Sequence, residues 1–330
     1  MNGLSGMPSR IAGREGVIVV GSVTADVTTF SKRLPRRGET ILGDDVTLFL
    51  GGKGANQAVA AARGAARTAL VGCVGSDAFH TLVLDGLLAE GVELDHLRVM
   101  PGATGVAHIR VDASGENDIV IVPKANALLS PELVGEAIQA LAPTSSVLLT
   151  QLEIPVLTAM HAIRKARAAG LIVILDPAPA ATLPDEIWAS VDIVTPNETE
   201  ASTLTGITVS DAESATAAAR WFLQRGTRTA IITLASAGAV LVTAGGSTTF
   251  EAVRVDAIDT TAAGDAFAGY LGAALAAGDS LEASITRAMA AGALAVTRRG
   301  ASPSLPFKGE VDELVNRVAV PAHSDHGPTG

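Results

Sequence analysis

The stretch of this chain best suited to chemistry is Asp259-Thr260-Thr261-Ala262-Ala263-Gly264-Asp265-Ala266-Phe267-Ala268-Gly269. Its small residues make a tight turn, and the mostly apolar residues 266–276 suit a buried helix. A helix start leaves N–H groups without intrahelical partners, and the positive end of the helix dipole adds to them, so the turn is a ready anion site. Gly264 has no Cβ and lets a backbone or a ligand come close. Asp265 stands at the same spot. A carboxylate beside an anion site repels the anion unless it has a task. Taking the proton of a hydroxyl that attacks a phosphate is such a task. Asp is also a favoured N-cap, so this stretch alone leaves cap and base both open.

The elements that position this turn follow a regular alternation. Apolar runs at 17–20, 69–74, 146–150, 171–175, 191–194 and 229–234 read as strands. Helical patterns occupy 53–62, 78–90, 131–141, 155–169, 211–225, 262–276 and 280–298. This order predicts an α/β fold with a doubly wound, mostly parallel sheet flanked by helices and joined by right-handed crossovers. Ligands of such sheets sit outside the C-terminal strand ends. Asp26, Glu153, Asp176, Asn197 and Thr233 all fall at or just after such ends. Two regions break the rhythm. Residues 28–50 carry Pro35, Gly38 and Gly43 between short β-like pieces at 40–42 and 46–50, and residues 104–111 and 118–122 flank a hairpin signal at 112–117. Together they predict a small additional sheet. Residues 1–15 and 320–330 read as disordered tails.

Composition narrows the partners. Hydrophobic residues make up 48% of the 330, enough for a sizeable core, while aromatics are only 3%, which argues against a base-stacking surface. The net charge of -10, with no Lys/Arg cluster, disfavours nucleic acid and anionic membrane. The single cysteine, Cys73, lies in an apolar run and reads as a small core residue; it permits no intrachain disulfide or Cys-based zinc site. No charge-free run of roughly 18 apolar residues occurs and no signal-peptide pattern opens the chain, so the expected compartment is the cytoplasm. The six histidines show no metal spacing. Gly52-Lys53 is followed by Gly54, not Ser or Thr, so there is no Walker A loop, and no dinucleotide glycine triplet follows a strand.

Three motifs in order, Gly51-Gly52-Lys53-Gly54-Ala55-Asn56-Gln57-Ala58, Thr195-Pro196-Asn197-Glu198-Thr199-Glu200 and Asp259 to Gly269, resemble those of the ribokinase-like (PfkB-type) sugar kinases, and within that family its ribokinase branch. The resemblance spans about 17–318. It implies ATP-dependent phosphorylation of a sugar hydroxyl, in the nearest branch the 5-hydroxyl of D-ribose. It also implies a lid sheet, from about 28–50 and 104–122, that pairs in a homodimer. Asp265 matches the catalytic base, and Ala262, Ala263 and Gly264 match the anion hole. Asp26, Gly52, Lys53, Asn56 and Glu153 match sugar-contacting positions, where carboxylates and an amide suit vicinal hydroxyls.

The resemblance further implies that Asn197 and Glu200 orient Mg2+ around the ATP phosphates, mostly through water. The same pair also reads as a helix cap with its capping-box partner. Thr233, Ser236, Gly238, Gly264 and Met289 match nucleotide positions, with Ala235 and Ala237 departing from the usual glycine and polar residues. Asp259, Thr261, Ala295, Arg298, Gly300 and Ser304 match a K+ loop that works partly through backbone carbonyls. One departure touches the sugar: the family position two residues before Asp26 is usually asparagine, and here it is Thr24. The alternatives are therefore a kinase of another pentose or of a nucleoside. From a different class comes a catalytically silent sugar-binding protein, against which the intact Gly264-Asp265 pair argues.

Overall fold

The computed structural model describes residues 13–114 and 116–319. Thirteen strands are found among them: β1 (Gly16–Val20), β2 (Thr24–Phe30), β3 (Asp45–Gly51), β4 (Thr68–Gly75), β5 (Leu97–Met100), β6 (Gly105–Val111), β7 (Asn117–Val122), β8 (Ser145–Thr150), β9 (Ile172–Leu175), β10 (Ile193–Val194), β11 (Thr229–Thr233), β12 (Ala239–Thr243) and β13 (Gly246–Phe250). The α-helices are α1 (Lys53–Arg63), α2 (Phe79–Ala89), α3 (Pro131–Leu141), α4 (Val156–Ala168), α5 (Glu198–Thr205), α6 (Ala212–Gln224), α7 (Ala263–Ala277), α8 (Leu281–Ala295) and α9 (Lys308–Ala319).

A nine-stranded sheet runs β13-β12-β11-β10-β9-β8-β1-β4-β5, parallel from β11 to β5 and closed at the other edge by the antiparallel β12 and β13. The central parallel strands β1, β4, β8, β9 and β10 are buried on both faces, as parallel sheets require. Val17 and Val19 of β1 face the core formed with α1, α2, α7, α8 and α9, while Ile18 and Val20 face α3 to α6. The predicted doubly wound fold is borne out, with helices on both faces and a separate small sheet.

The small sheet runs β3-β2-β6-β7, with β2 and β6 parallel and the outer pairs antiparallel. Asp26, expected just beyond the first strand, lies inside β2. The chain leaves β1, and Asn126 holds it at the crossing: Val23 N donates to Asn126 Oδ1 at 2.9 Å and Asn126 Nδ2 donates to Val23 O at 2.8 Å. The predicted β piece at 40–42 is not a strand, and Leu42 is exposed. Sequence reading passed over the β12–β13 hairpin because β13 is exposed along nearly its whole length and carries no alternation. The predicted tails lie outside the described residues except for 13–15, where Arg14 Nη1 donates to Ala169 O at 3.1 Å and Glu15 N to Thr144 O at 3.1 Å. Cys73 is buried, and burial pushes its thiol up to about 11. Among the described residues no helix is long and apolar enough to cross a membrane.

Candidate active site

Helix α7 carries the centre of the site. Its N-cap is Ala262, which sits in the left-handed region at φ 60, with no side-chain cap. A non-glycine residue there costs of order 1–3 kcal/mol and is held by its surroundings. The next N–H groups, of Ala263, Gly264 and Asp265, belong to a first turn with no intrahelical acceptors for them. A Cβ on Gly264 would meet nothing within 4 Å, so the glycine faces open space rather than a packed backbone.

Asp265 is the third residue of α7, and its side chain turns away from the helix start. Asn56 Nδ2 donates to its Oδ2 at 2.9 Å and Gln57 Nε2 donates to its Oδ1 at 3.1 Å. The cap reading of Asp265 is therefore excluded, since Ala262 is the N-cap and the carboxylate serves side chains of α1. The two helices meet closely enough for this because Gly269 faces α1: a Cβ there would lie 2.6 Å from Gln57 O.

Helix α1 delivers three site residues from one short motif. Gly52, at φ 89, makes the turn from β3 into α1, in a conformation that L side chains rarely adopt. Lys53 then projects its ammonium to 3.9 Å from both Asp265 Oδ1 and Asp176 Oδ2. Burial opposes its charge, but Asp265, Asp176, Glu153 and Glu200 together more than offset this and raise its pKa. Burial pushes the Asp176 carboxyl above the usual carboxylate range despite Lys53. Asn56 is buried, and its Oδ1 has no hydrogen-bond partner.

The other sugar-matched residues close around this motif. Glu153, after β8, accepts from Ser22 Oγ at 2.5 Å and from Lys53 N at 3.0 Å, so it belongs to the site and not to the outer surface. Thr24 Oγ1 donates to Asp26 Oδ1 at 2.6 Å. Burial pushes Asp26 up to about 6; the Thr24 bond lowers it, while Glu153 and Asp265 add to the rise. Asp26 also lines a cleft under the small sheet, with Phe49 and Ile109 on one side and Asp259, Thr261 and Gly300 on the other.

Asn197 caps α5. Its Oδ1 accepts from Glu200 N at 2.8 Å, and Glu200 Oε2 accepts from Asn197 N at 3.0 Å. The capping-box reading holds, and it leaves Asn197 Nδ2 and Glu200 Oε1 outside the box. Asn197 bridges to Thr233 at the end of β11, which joins α5 to the loop at 234–238. That loop turns on Ala235 at φ 44 and Gly238 at φ 96, with Ser236 exposed. Met289 packs against the core beside α7 and α8.

Asp259 ties two loops together. Its Oδ1 accepts from Thr261 N at 2.9 Å and Thr261 Oγ1 at 2.6 Å, and its Oδ2 accepts from Gly300 N at 2.9 Å. Ile258 N and Asp259 N both donate to Val296 O, so 258–261 runs against the end of α8. Arg298 directs its guanidinium to Glu310, and Ser304 Oγ donates to Ala301 O. The Ala295 carbonyl accepts from Arg298 N at 3.2 Å. In these loops the Asp259 carboxylate and the Ala295, Val296 and Ala301 carbonyls each accept a hydrogen bond from within the protein. No group of three or more His, Cys, Asp or Glu suited to a metal occurs among the described residues.

Two residues of the site, Gln57 and Gln151, were not singled out for it from sequence, and Asp176 was placed at a ligand-binding strand end without a role. Gln57 Nε2 also donates to Asp176 Oδ2 at 2.7 Å, and Gln57 Oε1 accepts from Gln151 Nε2. Gln57 falls inside the Gly51–Ala58 motif, the signal that could have found it.

The chain matches the pfkB family of carbohydrate kinases over residues 14–308. The ribokinase of Haemophilus influenzae is 41% identical over 306 residues, 92% of this chain and 100% of the relative. The deoxyribokinase of Salmonella typhi is 34% identical over 302 residues, 91% of this chain and 98% of the relative. Among solved structures, Arabidopsis thaliana ribokinase complexed with ribose and ATP superposes with a TM-score of 0.82 at 33% identity, covering 92% of this chain and 99% of that one.

Proposed function

The chain belongs to the pfkB family of carbohydrate kinases, and on that premise we propose that it transfers the terminal phosphoryl group of ATP to the 5-hydroxyl of D-ribose. The observation that carries the reading is Asn56. Its Nδ2 holds Asp265 while its buried Oδ1 has no partner, an acceptor for a sugar hydroxyl beside the base. The Arabidopsis relative complexed with ribose and ATP supports the choice of sugar and nucleotide.

In this reading Asp265 accepts the proton of the attacking hydroxyl. Ala262, Ala263 and Gly264 turn N–H groups toward the transferred phosphoryl, whose charge the start of α7 stabilises. The new O–P bond forms as the bond to the leaving ADP breaks. Gly52, Lys53, Asp26, Glu153 and Thr24 hold the remaining hydroxyls. Thr233, Ser236, Gly238 and Met289 border the nucleotide. Asn197 and Glu200 would hold Mg2+ with the ATP phosphates, largely through water; the ion supplies charge neutralisation there. The oxygen-rich loops of Asp259, Thr261, Ala295, Arg298, Gly300 and Ser304 suit K+ and would fix the turn that presents the anion hole. Dependence on ATP fits a cytoplasmic enzyme.

Thr24 bears on which sugar is best. Its hydroxyl proton is committed to Asp26, whereas an amide at this position would bring two donors. One neutral hydrogen bond is worth roughly 0.5–1.5 kcal/mol, about two- to tenfold in affinity. The expected result is that D-ribose has the highest kcat/KM among ribose, 2-deoxyribose, fructose and adenosine in a coupled ADP-release assay, and that Thr24→Asn raises the ribose to 2-deoxyribose ratio two- to tenfold. Adenosine or a hexose beating ribose more than tenfold would defeat the ribose reading but not the kinase; unchanged ratios in Thr24→Asn would mean that position 24 does not face the sugar.

The small sheet supports a homodimer. Register places Val46, Leu48, Val120 and Val122 on one face, and all four are exposed, Val120 by 62%. A solvent-facing apolar sheet face invites a matching one. Light scattering at micromolar concentration should give a dimer, and a fully active monomer would refute it.

A further inference from the structure

Gln57 joins Asp265 to Asp176 and Gln151. It is fully buried on α1. Its Nε2 donates to Asp265 Oδ1 at 3.1 Å and to Asp176 Oδ2 at 2.7 Å, using both hydrogens of one nitrogen. Its Oε1 accepts from Gln151 Nε2. The two carboxylates set which way the amide points, since an oxygen in that place would face both. Asn56 Nδ2 takes the other oxygen of Asp265. Each oxygen of the base is thus held by a separate amide on neighbouring residues of one helix, and one of those amides is itself anchored at both ends.

We propose that Gln57, anchored by Asp176 and Gln151, is a positioning residue that fixes the rotation of the Asp265 carboxylate for proton transfer. A carboxylate held through one oxygen can turn about its Cβ–Cγ bond, whereas one held through both cannot. A base that turns out of line loses rate even when the sugar is still bound, because a displacement of about 1 Å can cost on the order of 100-fold. Several charged groups face this carboxylate: Lys53 from α1, Asp176 after β9, Asp26 of β2 and Glu153 after β8, with Glu200 of α5 acting on Lys53 and Asp176. Gln57 is the neutral donor between two of them.

The inference rests on Asp265 being the base, and two variants test it separately from that reading. Gln57→Leu keeps the volume and removes the amide; kcat should fall about 10- to 100-fold while KM for ribose stays within about threefold. Gln57→Met keeps the length and likewise removes the amide; kcat should fall by a similar factor with KM for ribose again nearly unchanged. A packing role for Gln57 would leave the kcat–KM split unmoved in a variant that folds. Wild-type kcat in either variant overturns the inference, and if one variant does not fold the other decides. The base reading fails separately if Asp265→Asn stays active; if Asp265→Asn is inactive while Gln57→Leu matches wild type, only the inference about Gln57 fails.

Discussion

Asp265→Asn is expected to fold normally and to lose about 10²–10⁴-fold in kcat, the usual worth of a positioned acid–base group. The substitution keeps size and shape: its oxygen can keep the Gln57 bond, and its NH2 can meet Asn56 with that amide reversed, since Asn56 Oδ1 has no partner. The helix start does not depend on it, because Ala262 is the N-cap and no side chain caps α7. The ammonium of Lys53 retains Asp176 as a partner. What disappears is the acceptor for the hydroxyl proton, while the N–H groups of the α7 turn remain, so some transfer should survive. Coupled ADP release gives the rate, and a thermal melt reports the fold. Near-wild-type turnover with an unchanged melt would remove Asp265 from the chemistry.

Turnover in potassium salts is expected to exceed that in sodium or choline salts at equal ionic strength. Asp259 accepts three hydrogen bonds, one from Gly300 N that joins its loop to the loop after α8 and two from Thr261 within its own loop. Thr261, which makes two of them, immediately precedes Ala262, whose left-handed backbone aims the first N–H groups of α7. An ion bound to the surrounding carbonyls would stiffen that turn without touching the sugar. Its removal should therefore lower kcat more than it raises KM for ribose. Equal rates in the three salts would exclude a cation role for these loops.

Much of this arrangement was legible before the structure. Parallel strands buried on both faces leave unbroken apolar runs, and 17–20, 146–150 and 171–175 announced themselves that way. The turn at 259–265 betrayed itself by small residues before a buried helix, because an open helix start needs room. The motif at 51–58 reads locally because one turn of helix after a positive-φ glycine carries Lys53, Asn56 and Gln57 together. Exposed β13 gave no signal, since alternation appears only where one face is buried.

Cap and base could not be told apart at Asp265 from sequence, because both need a carboxylate in the first turn; the structure excludes the cap, since Ala262 caps α7 and the carboxylate accepts from α1, which lies against Gly269. Asp176 read as a strand-end polar residue, and its meeting with Gln57 and Lys53 is made by β9, which lies two strands from β1 in the sheet. Asp26 read as a strand end and proved to lie inside the small sheet, since Asn126, 103 residues away from Val23, bends the chain there. Local chemistry is written in neighbouring residues and can be read from them. Contacts across the sheet depend on strand order and helix approach, so only the folded chain decided which carboxylates share an amide and an ammonium.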